Sequence, residues 1–89
     1  MLPLVIISER LSALDNWGLE GDSITKEFNF DSHKQAMEFV NKVSELSEKH
    51  NHHPAIFINY NIVRISLTTH SERGLTSKDF DLAEEIDKI

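Results

Sequence analysis

Pro54 is the residue that most constrains this fold, because it separates a helical pattern from a strand pattern. Before it, apolar residues recur at helical spacing and form one stripe: Ala36, Phe39, Val40, Val43 and Leu46. Proline cannot continue a helix, and it pushes the preceding residue toward extended backbone. After it, AIFINY (55–60) is a nearly continuous apolar run of strand length. The sequence therefore predicts a helix that begins at Asp31 or Ser32 and gives way to a strand at Pro54.

The segments on either side of this junction predict two hairpins and two further helices. Turn residues at Gly21-Asp22 and Asn61 separate paired apolar runs. In chain order the elements are a short helix capped by Ser8, strands over 17–20 and 24–30, the long helix, strands over 55–60 and 62–69, and a closing helix after Gly74. The order α-β-β-α-β-β-α predicts an α+β fold, with a four-stranded antiparallel sheet and helices packed on one face. A single domain over residues 1–89 fits this length.

Composition excludes several classes of protein. The 15 Asp and Glu outnumber the 9 Lys and Arg, the reverse of the balance that phosphate binding requires, so we expect no nucleic-acid partner. Cysteine is absent, which excludes disulfides and thiolate metal sites. The opening apolar run LPLVII has six residues and is too short to span a bilayer. We expect a cytoplasmic protein with no membrane partner.

The histidines are concentrated in two places that the fold should bring together. Three of the five lie in EKHNHHP (48–54), and His70 follows the last predicted strand. In a hairpin the start of one strand lies beside the end of the next. Counting symmetrically about Asn61 places position 52 opposite position 70. We therefore expect His52, His53 and His70 to converge at one edge of the sheet.

Three interpretations of these imidazoles compete. A metal site needs three or four converging ligands, and adjacent histidines on extended backbone point to opposite faces, so we predict no metal. Acid–base catalysis needs only imidazoles near a bound molecule, with a pKa of about 6.5 that suits proton transfer at neutral pH. The third interpretation is a structural role without chemistry. Spacing favours that role for His33 and His50, and leaves catalysis and a structural role open for the convergent three.

Two carboxylates accompany the histidines. Thr76-Ser77-Lys78-Asp79 has the form of a capping box, in which the hydroxyl and the carboxylate bind the first free amides of a helix. That pattern favours a capping role for Asp79. Glu48 stands four residues before His52, where it could orient a histidine or lie on the surface.

Taken together, these residues resemble the signature of the pterin-4a-carbinolamine dehydratase family. The resemblance covers about residues 8–89, nearly the whole chain, and its many spaced positions are far more specific than a single HHP. The matching residues are Glu48, His52-His53-Pro54, Tyr60, His70 and Asp79, within the stretches AMEFVNKVSELSEKHNHHP, YNIVRISLTTH and GLTSKDFDLA.

The resemblance implies both an activity and a site. Family members dehydrate 4a-hydroxytetrahydrobiopterin to quinonoid dihydropterin, which recycles the cofactor of aromatic amino acid hydroxylases, and they need no metal or organic cofactor. They assemble as homodimers or homotetramers. The implied catalytic residues are His52, His53 and His70. The implied pterin contacts are these three with Asn51, Thr68, Thr69 and Ser71, supported by Glu48 and Asp79.

The chemistry explains why histidines suit this reaction. Loss of water from C4a needs a proton for the departing hydroxyl and removal of a proton from N5, each a step that general acid–base catalysis accelerates by about 10²–10⁴-fold. We expect His53 and His70 to transfer the protons while His52 orients the ring. The family also implies an alternative, a non-catalytic pterin-binding or interaction module, because animal relatives act as dimerisation cofactors of a homeodomain transcription factor.

Overall fold

The computed structural model describes residues 1–89 and confirms the predicted order of elements. Those elements are α1 (Leu4–Ser12), β1 (Gly18–Glu20), β2 (Ser23–Asn29), α2 (His33–His50), β3 (Ala55–Asn59), β4 (Ile62–Leu67), a 3₁₀ turn (His70–Glu72) and α3 (Ser77–Ile86). The strands form one antiparallel sheet in the order β1-β2-β4-β3. The α+β prediction is therefore confirmed. None of the helices has the length and apolar character needed to cross a membrane.

Local signals at both ends fix the position of α2. At its start the Ser32 hydroxyl accepts a hydrogen bond from the Gln35 amide at 3.1 Å, which satisfies one of the free amides of the first turn. At its end Asn51 adopts the left-handed conformation (φ +50°), a common way to terminate a helix. The His52 amide then bonds back to the Ser47 carbonyl at 3.1 Å. The helix therefore stops where Pro54 requires it, and the chain turns into β3.

The core lies between the sheet and the helices. β4 alternates between buried and more exposed residues, as expected for a strand with one covered face. Fourteen apolar residues form one buried cluster, in which β4 contributes Val63, Ile65 and Leu67, α2 contributes Ala36, Phe39 and Val43, and α3 contributes Phe80, Leu82, Ala83 and Ile86. On the opposite face the Arg64 guanidinium lies 4.7 Å from the centre of the Phe57 ring.

The first helix begins earlier than predicted. It starts at Leu4, with Pro3 in extended backbone as the residue before it, so Ser8 lies within the helix and does not cap it. Proline is well accepted at a helix start, where no intrahelical amide is required. The apolar LPLVII is thus mostly helical, and its Ile7 is buried in the core.

The predicted register of the second hairpin is wrong by one residue. Asn59 pairs with Ile62 and Ala55 with Ser66, so the pattern extended outward places position 52 opposite position 69. The reason is the turn, which contains two residues because Tyr60 takes a positive φ of +53°. His70 does not continue β4 either, since it begins the 3₁₀ turn.

Ionic contacts attach α3 to the rest of the domain. The Trp17 indole and the Lys26 ammonium both donate to Asp87, each at 2.9 Å. Arg10 of α1 pairs with Asp81 and Glu84 at 3.0 and 3.1 Å. Burial lowers the pKa of Arg10, but hydrogen bonds to these two carboxylates outweigh it and raise the pKa above its ordinary value. These contacts fix α3 and the residue that follows it against α1, Trp17 and β2.

Candidate active site

His52 is held by a buried carboxylate. Its Nε2 lies 2.6 Å from Oδ1 of Asp79, which is fully buried, and the imidazole itself is only 11% exposed. A carboxylate only accepts hydrogen bonds, so Nε2 carries the proton that it donates. In the neutral ring Nδ1 is then left as the acceptor. The contact fixes both the orientation and the tautomer of this histidine.

The second oxygen of Asp79 belongs to a hydrogen-bond network. Oδ2 accepts from the Thr69 hydroxyl at 2.8 Å and from the Thr76 amide at 3.0 Å. The Thr69 and Thr76 hydroxyls are 2.8 Å apart, and since Thr69 donates to Asp79, Thr76 donates to Thr69. Every buried side-chain polar atom has a partner. The carboxylate is therefore fixed on all sides, as a residue that orients another should be.

Asp79 thus has the predicted capping role together with a second one. The capping box between Thr76 and Asp79 is present at the start of α3, and it uses only one carboxylate oxygen. The contact with His52 joins residues 27 positions apart and requires α3 to pack against the end of α2. The family spacing of Asp79 was the only signal in the sequence for this second role.

His53 and Glu48 form a more open pair. The Nε2 atom of His53 is hydrogen-bonded to Oε2 of Glu48, and the two side chains are 58% and 74% exposed. Glu48 occupies the last turn of α2, and its side chain contacts His53 across the turn at Asn51. The bond directs Nε2 of His53 to the carboxylate and leaves Nδ1 available to a ligand or to water.

His70 lies on an exposed turn that follows the network directly. Thr69 and Gly74 exchange backbone hydrogen bonds of 3.2 and 3.3 Å, which closes the loop that carries His70. Arg73 takes a positive φ of +56° within this loop. His70 and the following Ser71 are exposed. The turn therefore presents the His70 imidazole to solvent on a closed backbone loop.

The other residues predicted to contact the pterin differ in which of their polar groups are free to bind a ligand. The Thr68 hydroxyl donates to the Asp22 carbonyl at 2.7 Å, and the hydroxyl, amide and carbonyl of Thr69 are all bonded within the fold. Thr69 therefore acts as a support of the site. Asn51 is exposed. Ser71 borders a polar cavity of about 180 Å³ with Thr69, Glu72, Thr76, Ser77 and Lys78.

The sheet end thus gathers two kinds of imidazole. His52 is nearly buried and is fixed by Asp79, and Thr69 connects Asp79 to the loop of His70. His53, next in the chain, is exposed, and the histidines form no hydrogen bonds with one another. No three His, Asp or Glu side chains are arranged so that they could hold a metal ion. The arrangement can orient a ligand with one imidazole and exchange protons through the exposed ones.

Sequence comparison identifies the same family that the pattern of site residues resembles. The family model described as pterin 4 alpha carbinolamine dehydratase matches residues 5–89. Relatives with the provisional name pterin-4-alpha-carbinolamine dehydratase include one from Acidobacterium capsulatum, 48% identical over 93% of this chain and 90% of its own. Another, from Nostoc, is 44% identical over 100% of this chain and 96% of its own.

Solved structures share the fold. The crystal structure of a transcriptional coactivator/pterin dehydratase from Brucella melitensis superposes with a TM-score of 0.93 and 36% identity, covering 98% of this chain and 95% of the other. A pterin dehydratase-like protein, identified as a RuBisCO assembly factor in the alpha-carboxysome, has a TM-score of 0.71 and 25% identity, covering 83% and 88%. By sequence and structure, this chain belongs to the pterin 4 alpha carbinolamine dehydratase family.

Proposed function

We propose that this chain is a 4a-hydroxytetrahydrobiopterin dehydratase, a hydro-lyase that removes water from pterin-4a-carbinolamine to give quinonoid dihydropterin. The observation that supports it most directly is the His52–Asp79 pair, in which a fully buried carboxylate holds a nearly buried imidazole at the sheet end that also carries His53 and His70. A carboxylate that fixes an imidazole is a typical support for acid–base chemistry.

In the proposed reaction two protons move and no electrons are transferred to a cofactor. One imidazolium protonates the hydroxyl on C4a, and the C4a–O bond breaks to release water. A second, neutral imidazole removes the proton from N5, whose electron pair forms the C4a–N5 double bond. We assign these steps to His53 and His70, because both are exposed and can exchange protons with water afterwards.

His52 has the third role. Its ring is nearly buried and its Nε2 proton is committed to Asp79, so it suits orientation of the pterin through Nδ1 better than repeated exchange with solvent. Asn51, Thr68 and Ser71 supply further contacts to the pterin from either side. We place the activity in the cytoplasm and in a homodimer or homotetramer.

Replacement of the two exposed histidines tests the proposal. In His53→Ala and His70→Ala we expect dehydration of freshly generated carbinolamine to slow by about 10²–10⁴-fold, the usual contribution of one acid–base group. Circular dichroism should be unchanged, since neither side chain is buried. His50→Ala, in the last turn of α2, is the matched control and should keep the wild-type rate. Wild-type rates in both variants would contradict the assignment.

A non-catalytic pterin-binding or interaction module is the second candidate. Its support is the solved relative identified as an assembly factor and the exposed apolar side chains of β3. This candidate predicts pterin binding without acceleration of dehydration. Measurement of both quantities on the purified wild-type protein separates it from the enzyme.

A further inference from the structure

An apolar cavity with no histidine in its lining lies between the start of α1 and the turn that joins β1 to β2. Its volume is about 200 Å³, and six of its nine lining residues have apolar side chains: Met1, Leu2, Leu4, Ile7, Leu19 and Leu75. Of the five cavities of the chain, it is the only one whose lining is mostly apolar. The fold therefore encloses an apolar space that its own side chains do not fill.

The cavity has a buried floor and an exposed rim. Leu75 and Ile7 are only 2% and 6% exposed, whereas Leu4 and Leu19 are 77% and 49% exposed. An apolar cavity of about 150 Å³ stays dry in water and binds benzene. The somewhat larger space beside α1 has room for one six-membered ring with a short chain. Such a ligand would cover the floor and part of the rim.

Asp22 supplies the one charged side chain at this cavity. Its carboxylate is exposed and forms no ion pair within the chain. Its backbone is fixed, because its carbonyl accepts a hydrogen bond from the Thr68 hydroxyl at 2.7 Å. Gly21 before it takes the positive φ (+62°) of this turn, which glycine adopts without strain. Since a carboxylate attracts cations and repels anions, the cavity favours a ligand with a positive charge beside its apolar group.

Two contacts join this cavity to the histidine loop, residues 69–74. The Leu2 amide donates to the Leu75 carbonyl at 2.8 Å, directly after the loop. The Met1 side chain lies on Gly74 so closely that a Cβ there would be 2.5 Å from its Sδ. Gly74 closes the loop through backbone hydrogen bonds to the first residue of the loop. Residues that line the cavity thus hold the base of the histidine loop.

We propose that this cavity is a second ligand site, which binds a small molecule that combines one apolar ring with an ammonium group. The ring contacts Leu75 and Ile7, and the ammonium group pairs with the Asp22 carboxylate. The bound ligand also holds Met1 in place and so keeps the histidine loop closed. This site is separate from the reaction proposed for the histidines, and it does not depend on that reaction.

Methyl signals in NMR spectra detect the binding directly. We expect phenethylamine to shift the methyl signals of Ile7, Leu19 and Leu75. The dissociation constant should be on the order of 1 mM, a typical value for a ligand of about nine non-hydrogen atoms. Leu46 borders a different cavity with charged walls, and its signals should not move. Unshifted signals of the three cavity residues at about 10 mM phenethylamine, roughly ten times this constant, would overturn the site.

The role of Asp22 is tested with two probes and two variants. 2-Phenylethanol has the ring and chain of phenethylamine but no charge. Asp22→Asn should weaken the binding of phenethylamine by about 2–5-fold, the effect of an exposed ion pair, and leave that of 2-phenylethanol unchanged. Glu20→Gln removes an exposed acid of the same hairpin that does not line the cavity, and it should change neither affinity. Equal losses in both variants, or no loss in Asp22→Asn, would refute the preference for cations.

A change of size at the rim tests where the ring binds. Leu19→Trp places a larger side chain at a half-exposed position and should abolish the shifts of Ile7 and Leu75 that phenethylamine causes. Leu19→Ala is the control and should retain them. Shifts that persist in Leu19→Trp would place the ring elsewhere. Cavity signals that move when the protein alone is diluted would mean that a second copy occupies the cavity, and would also overturn the proposal.

Hydrogen exchange tests the effect on the histidine loop. The amides of Thr69 and Gly74 bond to each other's carbonyls, and their exchange should slow by up to about tenfold at ten times the dissociation constant, because the ligand binds only the closed loop. The Asn51 amide, bonded at the end of α2, is the control and should exchange as before. Methyl shifts without slower exchange would refute the effect on the loop. Neither measurement uses dehydratase activity, so failure of the proposed function would leave both results valid.

Discussion

At the scale of single residues, the two carboxylate oxygens of Asp79 have different roles: Oδ1 contacts His52 and Oδ2 caps α3. A substitution can separate the two roles. Asp79→Asn keeps an acceptor oxygen for the cap but removes the charge that faces His52. We expect dehydration to slow by about 10–100-fold, the effect of a catalytic ring that is no longer held in place. The free energy of unfolding should fall by about 1–3 kcal/mol, because a buried hydrogen bond is left imperfect.

Thr76→Ala is the control for this prediction. It removes the hydroxyl of the cap but leaves Asp79 in contact with His52. We expect a loss of about 1 kcal/mol in the free energy of unfolding, with a rate close to that of the wild type. The test is to measure the free energy of unfolding in denaturant and the rate of dehydration for both variants. Equal rates in the two variants would mean that Asp79 is only a cap.

At the scale of secondary-structure elements, α2 depends on its Ser32 cap. Ser32→Ala removes the acceptor of the Gln35 amide and should lower the free energy of unfolding by about 1 kcal/mol. Ser44→Ala lies in the exposed middle of the same helix, where alanine has the higher helix propensity, so we expect no loss. The midpoints of urea unfolding of the two variants test this prediction. A larger loss of stability in Ser44→Ala than in Ser32→Ala would contradict the capping role of Ser32.

Elements were predictable from sequence where their signals are local. The stripe of α2, the stop at Pro54 and the capping box of α3 each involve neighbouring residues, and the structure confirms them. The register of β3 against β4 depends instead on the positive φ of Tyr60, which its residue type does not favour. The contact of His52 with Asp79 depends on packing between distant elements, so only the family spacing indicated that both residues belong to one site.

At the scale of the whole molecule, a chain of 89 residues has little core with which to resist unfolding. Domains of this size bury a smaller fraction of their surface on folding than larger domains do, and they are marginally stable alone. The exposed apolar residues of β3 would add to that core in a dimer. Self-association through this edge would then stabilise the folded chain.

Such stabilisation predicts a melting temperature that depends on protein concentration. Mass action favours the folded dimer as the concentration rises, and we expect an increase on the order of 3 °C for each tenfold step. Ile58→Lys places a charge on the edge of β3 and should abolish the dependence by producing monomers. Leu19→Lys, on the β1 edge with similar exposure, should retain it. Differential scanning calorimetry over a hundredfold range would decide, because a constant melting temperature in the wild type is incompatible with a dissociating dimer.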